Sequence, residues 1–271
     1  MQYRIETVKL GKYFNISRGL RKFFPLKRKE RKQIWAVREV NISLERGKVC
    51  CLVGPNGAGK STFLKILASL IVPTKGAALV NGYDIRKDEN RVRKSIGLLT
   101  GDERSLYWRL SGRENLLFFA SLYGIFGKKA ERTIRELCEL MKLEGYLNRP
   151  LGECTSGIRE RFSLARMLLH NPEVLLMDEP TQNLDPIIAR EIRAFIKETL
   201  VKEKGKTVLY TTHHLLEMEG FADWTGVMVN GEVVVSGTYE EIRKKTPVLV
   251  KDMEEVLNYW VKKSENEKVR G

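Results

Sequence analysis

Apolar positions along the chain fall into short runs whose period changes twice. Tyr3 to Leu10 and Val37 to Leu44 alternate apolar with polar residues, as strands with one buried face do. Val49 to Val53 (VCCLV) is continuously apolar and suits a strand buried on both faces of a parallel sheet. Lys60 to Leu70 reads as a helix ended by Pro73, followed by a strand at Ala77–Val80 and an Asn81-Gly82 turn. From Arg113 to Leu147 the period becomes helical, with Ile134, Leu137, Leu140 and Met141 on one face. Strand and helix then alternate again: VLLM at 174–177, a helix at about 187–203 and VLYTT at 208–212. Strands alternating with helices predict an α/β fold with a parallel sheet, interrupted by a helical insert. Near the end, Met253, Val256, Leu257, Trp260 and Val261 share one helical face.

Composition narrows the classes. The 271 residues are 42% hydrophobic and 30% charged with both signs present, which supports a real core and excludes wholesale disorder. The longest apolar stretch, Leu116 to Phe126, holds Ser121 and Gly124 and falls short of the roughly 20 residues that span a bilayer. Cys50, Cys51, Cys138 and Cys154 have no Cys-x-x-Cys spacing, and the N-terminus is too polar for a signal-peptide core, so a cytosolic chain is expected. The net charge of +14 calls for an anionic partner: nucleotide, nucleic acid or an anionic membrane surface. About half of it sits between Asn15 and Ile34, where eight basic residues meet one acid, Glu30.

The chemistry-bearing motif follows the buried strand. Gly54, Pro55, Asn56, Gly57, Ala58, Gly59, Lys60, Ser61 and Thr62 fit G-x-x-x-x-G-K-[ST] and open a helix. Glycines let backbone N–H groups turn toward phosphate oxygens, and the helix N-terminus adds its positive end. Lys60 can reach the β- and γ-phosphates, and the Ser61 hydroxyl can ligate Mg²⁺. Downstream, Asp178 emerges from the apolar strand at its carboxyl end as a second Mg²⁺ contact, and Glu179 is positioned as a general base for water.

Together these residues resemble the ATP-binding subunit of ABC transporters across nearly the whole chain. Leu52 to Thr62 resembles the family's Walker A, Leu175 to Thr181 its Walker B, Asn183 to Pro186 its D-loop with Asp185, and His213 its switch histidine. Ala222-Asp223, Asn230 to Glu232 and Ser236 to Thr238 match the strands that close the family's core. The resemblance implies a P-loop core with a small N-terminal antiparallel β subdomain and an inserted helical subdomain at about 103–165. Residues 1–247 form the ATPase domain on this reading, and 248–271 a C-terminal amphipathic helix and tail. It also implies ATP and Mg²⁺ as ligands, with Glu179, His213 and Lys60 catalytic.

Two departures stand out. The family signature, usually Leu-Ser-Gly-Gly-Gln, is degenerate at Cys154 to Ile158: Thr155 keeps a hydroxyl, Gly157 a glycine, and Ser156 replaces the first glycine. Thr155, Ser156 and Gly157 are expected to touch the ATP of a partner subunit, or to act as an ordinary helix cap. The family's glutamine after the Ile96–Leu99 strand is missing, and Asp102 or Glu103 is either a substitute Mg²⁺ ligand or a solvated loop acid. An aromatic upstream of the basic stretch, Phe14 or Tyr13 and less favourably Trp35, is expected to stack on adenine.

The basic segment 15–34 resembles insertions in polysaccharide- and teichoic-acid-export subunits. Ile16, Leu20, Phe23 and Phe24 fall on one helical face before Pro25, so a basic amphipathic helix facing a permease or anionic membrane is expected, against a solvated loop or a nucleic-acid contact. The expectation is an ATPase subunit on the cytoplasmic face of the cell membrane, paired with a second cassette. It would drive a separately encoded permease, in export of glycan, drug or lipid. A soluble ABC-type ATPase acting on nucleic acid or ribosomes is the alternative.

Overall fold

The computed structural model describes residues 2–16, 32–101, 106–246 and 253–270. Two sheets face each other. The smaller is antiparallel and joins β1 (Tyr3–Ile16), β2 (Lys32–Glu45), β4 (Lys75–Val80) and β5 (Tyr83–Asp84) in the order β2-β1-β4-β5. The larger runs β10-β9-β3-β8-β7-β6, from β3 (Val49–Val53), β6 (Ile96–Thr100), β7 (Val174–Asp178), β8 (Thr207–Thr212), β9 (Trp224–Val229) and β10 (Glu232–Gly237). Its strands are parallel except for β10, which returns antiparallel to β9.

The expectation for β3 holds in detail. Every residue of β3 is buried, and because side chains alternate, Cys50 and Leu52 enter one core while Val49, Cys51 and Val53 enter another. The first core lies between the sheets, where α1 (Lys60–Leu67) inserts Phe63, Leu64 and Leu67. The second lies between the large sheet and the helices.

Those helices fill the interval between β6 and β7: α3 (Gly112–Leu122), α4 (Gly127–Met141) and α5 (Ser156–Leu168), after α2 (Glu89–Ser95) has led into β6. Helix α3 starts at a capping box in which Ser111 and Glu114 exchange hydrogen bonds. Buried Asn115 pins the preceding loop through Tyr107 N, Tyr107 O and Leu110 O. Beyond β7, α6 (Pro186–Ala194) continues as wider π turns over Phe195–Glu203. After β10, α7 (Tyr239–Lys245) and α8 (Met253–Arg270) finish the chain, and Val256 of α8 is fully buried. No helix among the described residues is long and apolar enough to cross a membrane.

Three sequence expectations change. Helix α1 stops at Leu67 rather than Leu70, with Ser69 at φ 56° just beyond it. Strands β1 and β2 run well past the alternating segments, with Tyr13 opposite Trp35 and Ile16 opposite Lys32. Ile16 therefore ends a strand instead of opening a helical face, because cross-strand pairing outweighs its local spacing. Leu20, Phe23 and Phe24 lie outside the described residues, as do Asp102 and Glu103.

Candidate nucleotide site

The loop after β3 closes only because of its glycines. Gly59 caps α1 at φ 105°, and a Cβ there would sit 1.9 Å from the Ala36 carbonyl of β2. The helix starts at Lys60, so its unpaired N–H groups face the loop. The Lys60 ammonium is 4% exposed and has three donors. They meet the Gly54 carbonyl at 2.6 Å, the Pro55 carbonyl at 3.3 Å and Glu179 Oε1 at 3.3 Å.

Parallel pairing of β7 with β8 sets Asp178 opposite Thr211. The Thr211 hydroxyl donates to Asp178 Oδ1 at 2.6 Å, which fixes that carboxylate. The next residue, Glu179, takes φ 49°, a left-handed backbone that a non-glycine residue adopts at a cost of roughly 1–3 kcal/mol. Its N–H is held by Thr211, through the carbonyl at 3.1 Å and the hydroxyl at 3.2 Å. This strained turn swings the side chain back over the loop, where it is 14% exposed. Glu179 Oε2 then meets His213 Nδ1 at 2.8 Å, just beyond the end of β8. Lys60, Glu179 and His213 thus form one chain of contacts. The His214 ring lies 3.9 Å from that of His213.

The oxygens present suit Mg²⁺ held together with phosphates. Ser61 is exposed at the first turn of α1, and Asp178 has one oxygen not engaged by Thr211. Among the described residues no group of three or more His, Cys, Asp or Glu forms a metal cage.

The signature residues are on a different surface. Thr155 caps α5, its hydroxyl accepting from Ile158 N–H at 3.4 Å, and Thr155 and Ser156 are exposed. Gly157 allows α5 to approach α6, since a Cβ would lie 2.9 Å from Ile188 Cγ2. Asp185 caps α6 by accepting from Ile187 N–H at 2.8 Å. Thr155, Gly157 and Asp185 line a groove of about 470 Å³ to which no residue of the Gly54–Thr62 loop contributes. Both sequence readings of Thr155 are therefore compatible: it caps its helix and leaves the helix end open to a ligand.

Between the two surfaces lies a cavity of about 80 Å³ with Gly101, Trp108, Glu160, Glu179 and Gln182 in its walls. Burial holds the Glu160 carboxyl up at about 7, with Arg166 opposing the shift. Of the adenine candidates, Tyr13 and Phe14 are adjacent on β1 and must point to opposite faces. Tyr13 packs edge-on against Trp35 at 5.2 Å, whereas Phe14 is exposed beneath the Lys12 ammonium at 5.3 Å.

Sequence reasoning missed Thr211, although a hydroxyl at the carboxyl end of a buried strand was a usable signal. It also missed Thr181, Tyr210, Arg193 and Glu217, which have no shared spacing.

With this geometry in view, residues 37–182 match the family model described as ABC transporter. The chain is 35% identical over 230 residues to the ABC transporter ATP-binding protein NatA of Bacillus subtilis, covering 85% of this chain and 90% of NatA. It is 34% identical to the probable multidrug ABC transporter ATP-binding protein YbhF of Escherichia coli, over 86% of this chain and 41% of YbhF. The bacterial ABC transporter cassette MJ0796, solved as a dimer, superposes with a TM-score of 0.73 at 25% identity, over 86% of this chain and 98% of that one. The chain belongs to the ABC transporter family, as an ATP-binding subunit that couples ATP hydrolysis to transport.

Proposed function

We propose that this subunit hydrolyses ATP between two cassettes, with Lys60, Glu179 and His213 acting on one nucleotide and the Thr155–Gly157 turn on the partner's. The observation that carries the reading is the contact chain Lys60–Glu179–His213 at 3.3 and 2.8 Å, set at the mouth of the glycine loop. Lys60 exchanges its carbonyl contacts for β- and γ-phosphate oxygens, while loop N–H groups from Gly57 to Thr62 donate to the phosphates. Glu179 Oε1, released from Lys60, takes a proton from the water that attacks the γ-phosphate. His213 holds Oε2 and keeps the carboxylate in register with that water. Ser61 and Asp178 would hold Mg²⁺, which when bound would supply charge neutralisation for the phosphates. Phe14 is favoured over Tyr13 and Trp35 for adenine because its ring is the exposed one.

The second cassette follows from the separation of surfaces. Thr155 and Ser156 are exposed beside Asp185 in a groove away from the subunit's own loop, so a ligand there comes from a second chain. The cassette MJ0796 was solved as a dimer. The permease contact is assigned to the helical block, where Tyr107, Phe118, Leu122 and Phe126 are exposed and Tyr107 packs against Phe118 at 5.1 Å. This assignment implies the cytoplasmic face of the membrane as the location. The division into an ATPase domain at 1–247 and a C-terminal helix and tail is retained.

Export of a drug-like cargo is favoured by the name of YbhF, over the glycan type suggested by residues 15–34. The helix expected there, and its anionic-membrane contact, fall at 17–31, outside the described residues. The nucleic-acid alternative gives way to transport, the activity for which the relatives are named. Light scattering of Glu179→Gln with Mg²⁺ and ATP tests the pairing. The mass should double on adding ATP, and a mass unchanged by ATP would overturn the sandwich.

A further inference from the structure

A second polar cluster lies behind the catalytic one and touches no part of the nucleotide loop. Glu217 sits on the short 3₁₀ turn Leu215–Met218 that immediately follows the two histidines. Its side chain is 20% exposed, and Oε1 pairs with Arg193 Nη1 at 3.0 Å, where Arg193 is 17% exposed. Oε2 accepts from the Thr181 hydroxyl at 3.4 Å. Thr181 Oγ1 also meets Tyr210 Oη at 2.5 Å, with Thr181 6% exposed and Tyr210 fully buried.

Proton counting orients this chain. An ionised carboxylate only accepts, so Thr181 spends its one proton on Glu217, and the Tyr210 hydroxyl must donate to Thr181. Burial, reinforced by Glu217 nearby, holds the Tyr210 phenol protonated, as that role requires.

The four residues join the segments that carry Glu179, His213 and Asp185. Tyr210 is three residues before His213 on β8, and Glu217 is four residues after it. Thr181 is two residues beyond Glu179, and Arg193 is on α6, the helix that Asp185 caps. A partly buried pair of this kind is sensitive to losing one partner, because the other is left without its counter-charge.

We propose that Glu217 is a positioning residue for hydrolysis: held by Arg193 and Thr181, it fixes the segment that sets His213 against Glu179. The inference rests on the roles given above to Glu179 and His213. It also makes α6, through Arg193, a mechanical input from the partner-facing Asp185 to the reacting carboxylate.

The test is single-turnover and steady-state ATP hydrolysis by the full chain, with thermal melts as a folding control. Glu217→Gln should lower kcat about tenfold or more with KM for ATP changed less than twofold. Thr181→Val should give the same split, and Thr181→Ser should restore the rate. In a His213→Ala background, Glu217→Gln should add nothing, because its effect passes through that histidine. Full additivity of the two changes, or equal losses in kcat and ATP affinity, would overturn the proposal. Wild-type turnover by His213→Ala alone would instead remove the histidine role on which it rests.

Discussion

The two surfaces assigned to ATP are built on different principles. At the glycine loop the chain supplies a buried strand, a backbone cradle and a lysine already aligned by Gly54, Pro55 and Glu179, so one subunit makes nearly all the contacts. At Thr155–Gly157 it offers only the end of α5, one hydroxyl cap and a close helix crossing. On the proposed reading, the first binds the subunit's own nucleotide and the second meets the nucleotide of a partner. This is consistent with a signature that departs from the family pattern at Ser156 and Ile158 while the loop departs nowhere. A backbone cradle fails with one wrong residue, whereas a helix end keeps its dipole and most of its N–H groups.

The contrast can be broken from either side. Lys60→Ala removes a buried cation from the loop and leaves Glu179 Oε1 without its ion-pair partner, and truncations of that kind cost about 2–5 kcal/mol. ATP affinity of the isolated subunit, read by calorimetry, should fall at least about thirtyfold.

Glu160 is in the wall between the surfaces and should report on their packing. Its carboxyl is raised from 4.5 to about 7, so between those values the folded chain holds a proton that the unfolded chain releases. Stability therefore falls as pH rises through that window, by up to about 3 kcal/mol for this group. Glu160→Gln should flatten that part of the urea-unfolding profile and leave the chain more stable than wild type at pH 8.

Changes at the signature should spare binding and impair pairing. Gly157→Val drives a side chain into Ile188 of α6, an overpacking worth about 1–3 kcal/mol. ATP-dependent dimerisation should weaken while monomer affinity for ATP stays within twofold. Thr155→Ala removes the α5 cap and should cost about 1 kcal/mol of stability, again without loss of monomer ATP binding.

How much of this could be read from the sequence follows the range of the forces involved. VCCLV, the glycine loop and the start of α1 are contiguous, and each local signal agrees with the next. The same holds for VLLM with Asp178, and for VLYTT with His213. The lengths of β1 and β2 were hidden because their outer halves are held by pairing between Tyr13 and Trp35 across the ribbon, while their own alternation fades. Thr211 was hidden in part: its place at the end of β8 was readable, but its bond to Asp178 depends on parallel register. The Tyr210–Thr181–Glu217–Arg193 chain left no trace, since its members come from four segments joined only by the fold.

The central claim is that Glu179 performs the chemistry while the loop performs the binding. It is tested most directly by steady-state hydrolysis of ATP by Glu179→Gln at saturating nucleotide. Turnover should fall by about 10²–10⁴-fold, the range of general acid–base contributions, with ATP affinity within a few-fold of wild type. Turnover near the wild-type rate would contradict the account.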